Sequence, residues 1–143
     1  MAVASGTAVA LLTKGTKRHR LLGWAYLLTM LGLNATALVM YRLTGTFNFF
    51  HGAALLSLAS LTLGMLPTRG RPFAGFLVAR HAYFMSGSYV GVLAATAAEI
   101  AVRLPGFPFS TSVIGATVLV CALGGWVMNA RIPHALQNLR RIG

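Results

Sequence analysis

Acidic side chains are almost missing from this chain: Glu99 is its one acid, against twelve lysines and arginines in 143 residues. Charged residues are 9% of the total, whereas a soluble domain carries about a quarter. That is too little polar surface to cover a water-exposed globule, so lipid must be the solvent for much of it. With no aspartate and Glu99 on the opposite face from most of the histidines, no Ser–His–acid triad can be assembled. His and Glu alone are too few ligands for a closed structural zinc site, and no metal site is expected. The single cysteine, Cys121, rules out a disulfide framework and gives no redox compartment. Internal repeats and low-complexity linkers are also missing.

What is present is a set of long apolar runs. Leu21–Met40 and Phe47–Leu66 are 20 residues each, Ala82–Ala98 is 17 and Phe107–Ala130 is 24, all free of Lys, Arg and Asp and with few polar side chains. A helix needs roughly 20 apolar residues to cross a ~30 Å hydrocarbon core, and an open sheet cannot satisfy its backbone in lipid. The expected fold is therefore an all-α membrane protein, an antiparallel bundle of four transmembrane helices plus a short apolar N-terminal helix. It forms one integral membrane domain over 1–143, with spans at approximately 20–42, 47–66, 73–103 and 108–131. A short helix at 1–13 precedes them, and an amphipathic inner-surface tail at 132–143 follows. Met1–Thr13 is too short to span and has no basic residues ahead of its apolar part, which makes it a poor signal peptide. Short loops containing Pro67, Pro72, Pro105 and Pro108 force consecutive helices to be antiparallel neighbours.

The net charge of +11 would suggest nucleic acid in a soluble protein. Its distribution suggests a membrane instead. With four spans, Lys14, Lys17, Arg18, Arg20, Arg69, Arg71, Arg80, Arg131, Arg140 and Arg141 share one face, and only Arg42 and Arg103 fall on the other. By the positive-inside rule the crowded face is cytoplasmic. The expected location is thus the bacterial inner membrane, with the C-terminus cytoplasmic. The expected partners are anionic lipid headgroups and other membrane protein subunits, not nucleic acid.

Small residues mark where helices approach. Gly87 and Gly91 form a GxxxG pair continued by Ala95, and Ser60 and Gly64 form a similar pair in the preceding run. Asn34, a polar group inside the first long run, is expected to make a helix–helix hydrogen bond.

Two polar clusters are candidates for chemistry. Glu99 lies roughly 25 Å along the third span from Ala82, near the outer rim. Arg103 follows four residues later, in the favourable order for a helical ion pair. Tyr41, Arg42 and His51 belong to the same rim and are expected to converge with Glu99, either around a rim ion pair or as a proton or ligand site. The inner face carries His19, His81 and His134. There His81, with Arg80 for propionates, is the most plausible ligand for a b-type haem; the alternative is contact with headgroups. No cofactor is expected otherwise.

Several strings together resemble an uncharacterised prokaryotic membrane family, catalogued as a domain of unknown function. These are Lys14-Gly15-Thr16 with His19-Arg20-Leu21-Leu22-Gly23-Trp24, Phe50-His51, Arg80-His81 with Phe84-Met85, and Glu99-Ile100 with Arg103-Leu104-Pro105. The resemblance covers roughly residues 6–133. It implies a multi-helix inner-membrane protein without an established activity, and marks His19, His51, His81, Glu99 and Arg103 as motif positions. It also implies a longer apolar helix ahead of Lys14 than Met1–Thr13 supplies. The functional expectation is a non-enzymatic accessory or structural subunit of a larger membrane complex. The alternatives are a haem b-binding redox protein using the inner histidines and a small proton-coupled transporter using Glu99 and His51.

Overall fold

A computed structural model describes residues 1–39, 49–66, 75–106 and 108–142, and every element among them is helical. The chain divides into two compact units, Met1–Thr62 and Leu63–Gly143.

The first unit begins with α1, Ala2–Leu11, and α2, Lys17–Val39. Hydroxyl groups in α1 are satisfied along the helix itself: Ser5 Oγ reaches the Met1 and Ala2 carbonyls at 3.2 Å, and Thr7 Oγ1 donates to Val3 O at 2.8 Å. Such back-bonding lets polar residues sit in an apolar helix.

Three consecutive residues then make the turn. Lys14 Nζ donates to the carbonyls of Val9 at 3.0 Å and Ala10 at 2.6 Å, satisfying acceptors left open at the C-terminus of α1. Partial burial holds the Lys14 pKa below the usual lysine value. Gly15 takes φ +82°, a left-handed conformation that costs glycine little. Thr16 Oγ1 accepts the His19 N–H at 3.1 Å, an N-cap on α2. The Lys-Gly-Thr string is thus a helix stop, a reversal and a helix start.

The turn folds α1 back along α2, where the Ser5 and Thr29 hydroxyls meet at 3.4 Å. Tyr26, Met30 and Asn34, spaced by four, form the buried stripe of α2. The next helix, α3, is Phe49–Met65; it buries His51, Ala54 and Leu61, and its last residues, from Leu63 on, belong to the second unit.

In the second unit, α4 (Gly75–Ala101) packs against α5 (Phe109–Ile142). The two helices approach closely at Gly124, where an added Cβ would fall 2.5 and 2.6 Å from the two γ-methyls of Val90. At Gly87 an added Cβ would lie 3.9 Å from Met128 Cε. Val90 therefore faces residue 124 and Gly87 faces residue 128, which fixes an antiparallel register. α4 ends in a tightened turn, with Arg103 N–H donating to Ile100 O and Leu104 N–H to Ala101 O. Gly106, at φ +108°, reverses the chain, and Pro108 precedes the first residue of α5. The helix continues through Pro133 to Ile142, so the basic tail extends α5 without a break.

Among the described residues three helices, Lys17–Val39, Phe76–Ala101 and Phe109–Gln137, are long and apolar enough to cross a membrane. Against the four spans expected, the segment at 47–66 corresponds to α3. Its 17 described residues are apolar but only about 25 Å long.

Candidate functional site at the α3–α4 corner

The end of α3 meets the start of α4 through Gly64. There a Cβ would come within 2.9 Å of Met85 Sδ and 3.3 Å of Phe84 Cβ. A methionine tail can move aside, but a Cβ on a packed helix cannot, so glycine sets the approach. The carbonyl of Gly64 lies in the last turn of α3, where acceptors lack intrahelical donors. His81 of α4 supplies one: its Nδ1 is 2.8 Å from Gly64 O. A carbonyl only accepts, so Nδ1 carries the proton, and in the neutral ring Nε2 holds the lone pair.

Beside this contact runs an open groove lined by Leu63, Phe76, Ala79, Arg80, Tyr83 and Phe84. The α4 members recur at helical spacing, so they share one face. The Arg80 guanidinium carbon lies 6.0 Å from the centroid of the Phe84 ring, a cation–π geometry.

The helix register sets the level of this corner. Continuing the pairs Val90–Gly124 and Gly87–Met128 along the two helices brings His134 level with His81, and Arg131 within a turn of Arg80. His134 is exposed on α5. Glu99 and Arg103 form an exposed i,i+4 ion pair at the other end of α4. From Arg80 to Glu99 the rise is about 28 Å, close to the ~30 Å of a hydrocarbon core.

The remaining candidates fall as follows. His51 is buried on α3 in the first unit, whereas Glu99 and Arg103 belong to the second; Tyr41 and Arg42 lie outside the described residues. His19 is half-buried at the start of α2. Asn34 is 1% exposed and donates both to its own helix at Met30 O, 2.9 Å, and to Ser57 Oγ on α3, 3.0 Å. Ser60 bonds back to Leu56 O. Gly87 faces α5, but Gly91 and Ala95 on the same stripe are exposed.

Gly124 escaped the sequence reading because its neighbours Gly125 and Gly115 look equivalent in the string, and only the fold distinguishes them. The capping by Lys14 and Thr16 was visible only as a motif, although a threonine three residues ahead of a helical N–H is a recognisable N-cap signal.

The family model described as "Predicted membrane protein (DUF2306)" matches residues 4–136. No curated protein and no solved structure matches. The match covers the Lys-Gly-Thr turn, the α3–α4 corner and the Glu99–Arg103 pair alike.

Proposed function

This chain belongs to the DUF2306 family of predicted membrane proteins, and on that premise we propose that it is a multi-pass inner-membrane protein serving as a non-enzymatic accessory or structural subunit of a larger membrane complex. The observation that carries this reading is α5. It is the longest helix among the described residues, yet its most apolar stretch has no buried residue, and Ile114, Val118, Leu119, Leu123 and Trp126 all face outward. A helix wrapped around an internal substrate path would turn part of that surface inward; this one offers it to lipid and to neighbouring spans. In the proposed orientation the Arg80–His81 end is cytoplasmic, as the positive-inside rule favours, and its cations meet anionic headgroups.

The test is extraction in mild detergent of a tagged, natively expressed chain, followed by size analysis. The expected result is co-elution, in fixed ratio, with other integral membrane polypeptides, well above the 15.1 kDa of one chain plus its micelle. Elution as a lone monomer under every mild condition would overturn the reading.

A second reading, haem b ligation by His81, draws support from one contact. The Nδ1–H bond to the Gly64 carbonyl is the arrangement that orients a ligating imidazole and leaves Nε2 for a metal. Spectra of the purified protein, oxidised and then dithionite-reduced, decide it; absence of Soret and α bands removes the haem reading.

A further inference from the structure

Arg80 lies inside an apolar helix of spanning length, and the chain has no acid to offer it. The one acidic side chain, Glu99, is paired with Arg103 at the opposite end of α4, about 28 Å away along the helix axis. An arginine within a span is costly unless its charge meets a partner. The counter-charge of Arg80 therefore comes from outside the side chains of this protein.

The surroundings of Arg80 specify that partner. Its guanidinium sits over the Phe84 ring, which leaves the planar edge of N–H donors free for a phosphate. On the same face Phe76, Ala79 and Tyr83, with Leu63 from α3, line the apolar groove. The candidate span Phe76–Ala101 has 26 residues, about 39 Å of helix, so its ends extend beyond a ~30 Å hydrocarbon core into the headgroup zone. Arg80 is in the first turns of this span, and Tyr83 and Phe84 are one turn deeper. Cation and apolar wall thus occur in the order in which a phospholipid presents its phosphate and its acyl chains.

We propose that the groove formed by Leu63, Phe76, Arg80, Tyr83 and Phe84 is a binding site for a single anionic phospholipid. Arg80 holds the phosphate, and the aromatic residues and Leu63 hold the upper acyl chain. The site is distinct from the diffuse attraction of the surface lysines and arginines, because here a cation without an acidic partner in the chain borders an apolar groove lined by two helices. The inference rests on the membrane orientation proposed above but not on any protein partner.

The experiment is native mass spectrometry of the full-length protein, delipidated in mild detergent and titrated with phosphatidylglycerol, phosphatidylcholine or inorganic phosphate. Wild type is expected to take up a first phosphatidylglycerol about tenfold more tightly than phosphatidylcholine, the margin of one charge-assisted phosphate contact. Arg80→Gln loses that margin, Arg80→Lys keeps part of it, and Arg20→Gln, which removes a surface cation from the same face, keeps all of it. Equal losses in Arg80→Gln and Arg20→Gln would mean diffuse attraction and overturn the site. So would equal binding of the two lipids, or displacement of the lipid by inorganic phosphate. Should Arg80→Gln fail to fold, wild type is labelled with a phosphatidylglycerol carrying a diazirine high in one acyl chain. Labelling of Leu63, Tyr83 or Phe84 supports the proposal, and labelling spread evenly over the outer face of α5 defeats it. A lone monomer in the partner experiment leaves all these measurements unaffected, so the two readings fail separately.

Discussion

Gly124 offers a quantitative test of how the second unit is held together. Replacing it with alanine puts a methyl 2.5 and 2.6 Å from the γ-carbons of Val90 and 3.1 Å from its Cβ. Valine has essentially one χ1 rotamer in a helix, and rotation exchanges one close γ-carbon for the other. Relief therefore requires α4 and α5 to separate by the better part of an ångström, loosening contacts along the seam. Overpacking of this kind costs about 1–3 kcal/mol, offset by up to about 1 kcal/mol from the better helix propensity of alanine. The net expectation for Gly124→Ala is a loss of about 1–2 kcal/mol. The neighbouring Gly125 provides the control, since nothing lies within 4 Å of its added Cβ; Gly125→Ala keeps only the propensity term and is neutral or slightly stabilising. Val90→Ala in the Gly124→Ala background removes both offending carbons and restores at least half of the loss. The assay is reversible unfolding in mixed micelles, followed by helical signal as denaturing detergent is titrated. Equal behaviour of Gly124→Ala and Gly125→Ala, or no rescue by Val90→Ala, would refute the packing argument.

Four further outcomes follow from other parts of the fold. Thr16→Ala removes the N-cap of α2 and should cost about 1 kcal/mol in the same unfolding assay, with Thr16→Ser close to wild type. Gly15→Ala, forced to φ +82°, should cost about 1 kcal/mol and add to the Thr16→Ala effect only in part, because both act on one turn. Asn34→Leu removes the bond to Ser57, worth about 0.6 kcal/mol between membrane helices; Ser57→Ala should cost a similar amount, and the double variant little more than either. Glu99→Gln breaks a largely exposed i,i+4 pair and should change stability by less than about 0.5 kcal/mol, an effect that vanishes at high salt.

The helical architecture was legible because lipid leaves the backbone so few options. Apolar runs of spanning length with one acid among them admit helices and little else. The ion pair at Glu99 and Arg103 was legible for a related reason: with a single acid and an arginine four residues on, helical geometry brings the two together without any knowledge of the fold. What the string did not reveal depends on the rotation of one helix about another. Asn34 could be read as a polar group wanting a partner, but not that Ser57 accepts from it. Gly87, Gly91 and Ala95 form one stripe on paper, yet only Gly87 faces α5, whose close approach turns on Gly124 instead. Periodicity indicates which residues share a face; it does not say which face the neighbour takes. The span count has a similar origin, since α3 carries spanning-type composition in 17 described residues and its membership of the set depends on more than length.

The placement of the glycine and histidine contacts bears on the unusual charge balance of the chain. Twelve cations and one acid cannot be neutralised internally, so most positive side chains must find partners outside. One of them uses backbone acceptors: Lys14 caps α1 through two carbonyls, and the neutral His81 likewise donates to the Gly64 carbonyl at the end of α3. Helix C-termini carry partial negative charge, so these contacts do part of the work that carboxylates do elsewhere. Lys17, Arg18 and Arg20 have no such recourse, since they occupy the N-terminal turn of α2, whose dipole repels them. A soluble protein would place acids at that position. A basic first turn is stable where phosphates are dense, because the phosphates answer both the side chains and the exposed N–H groups. The start of α2 therefore has the same requirement as the proposed lipid groove at Arg80: cations that no acid of the chain is placed to balance.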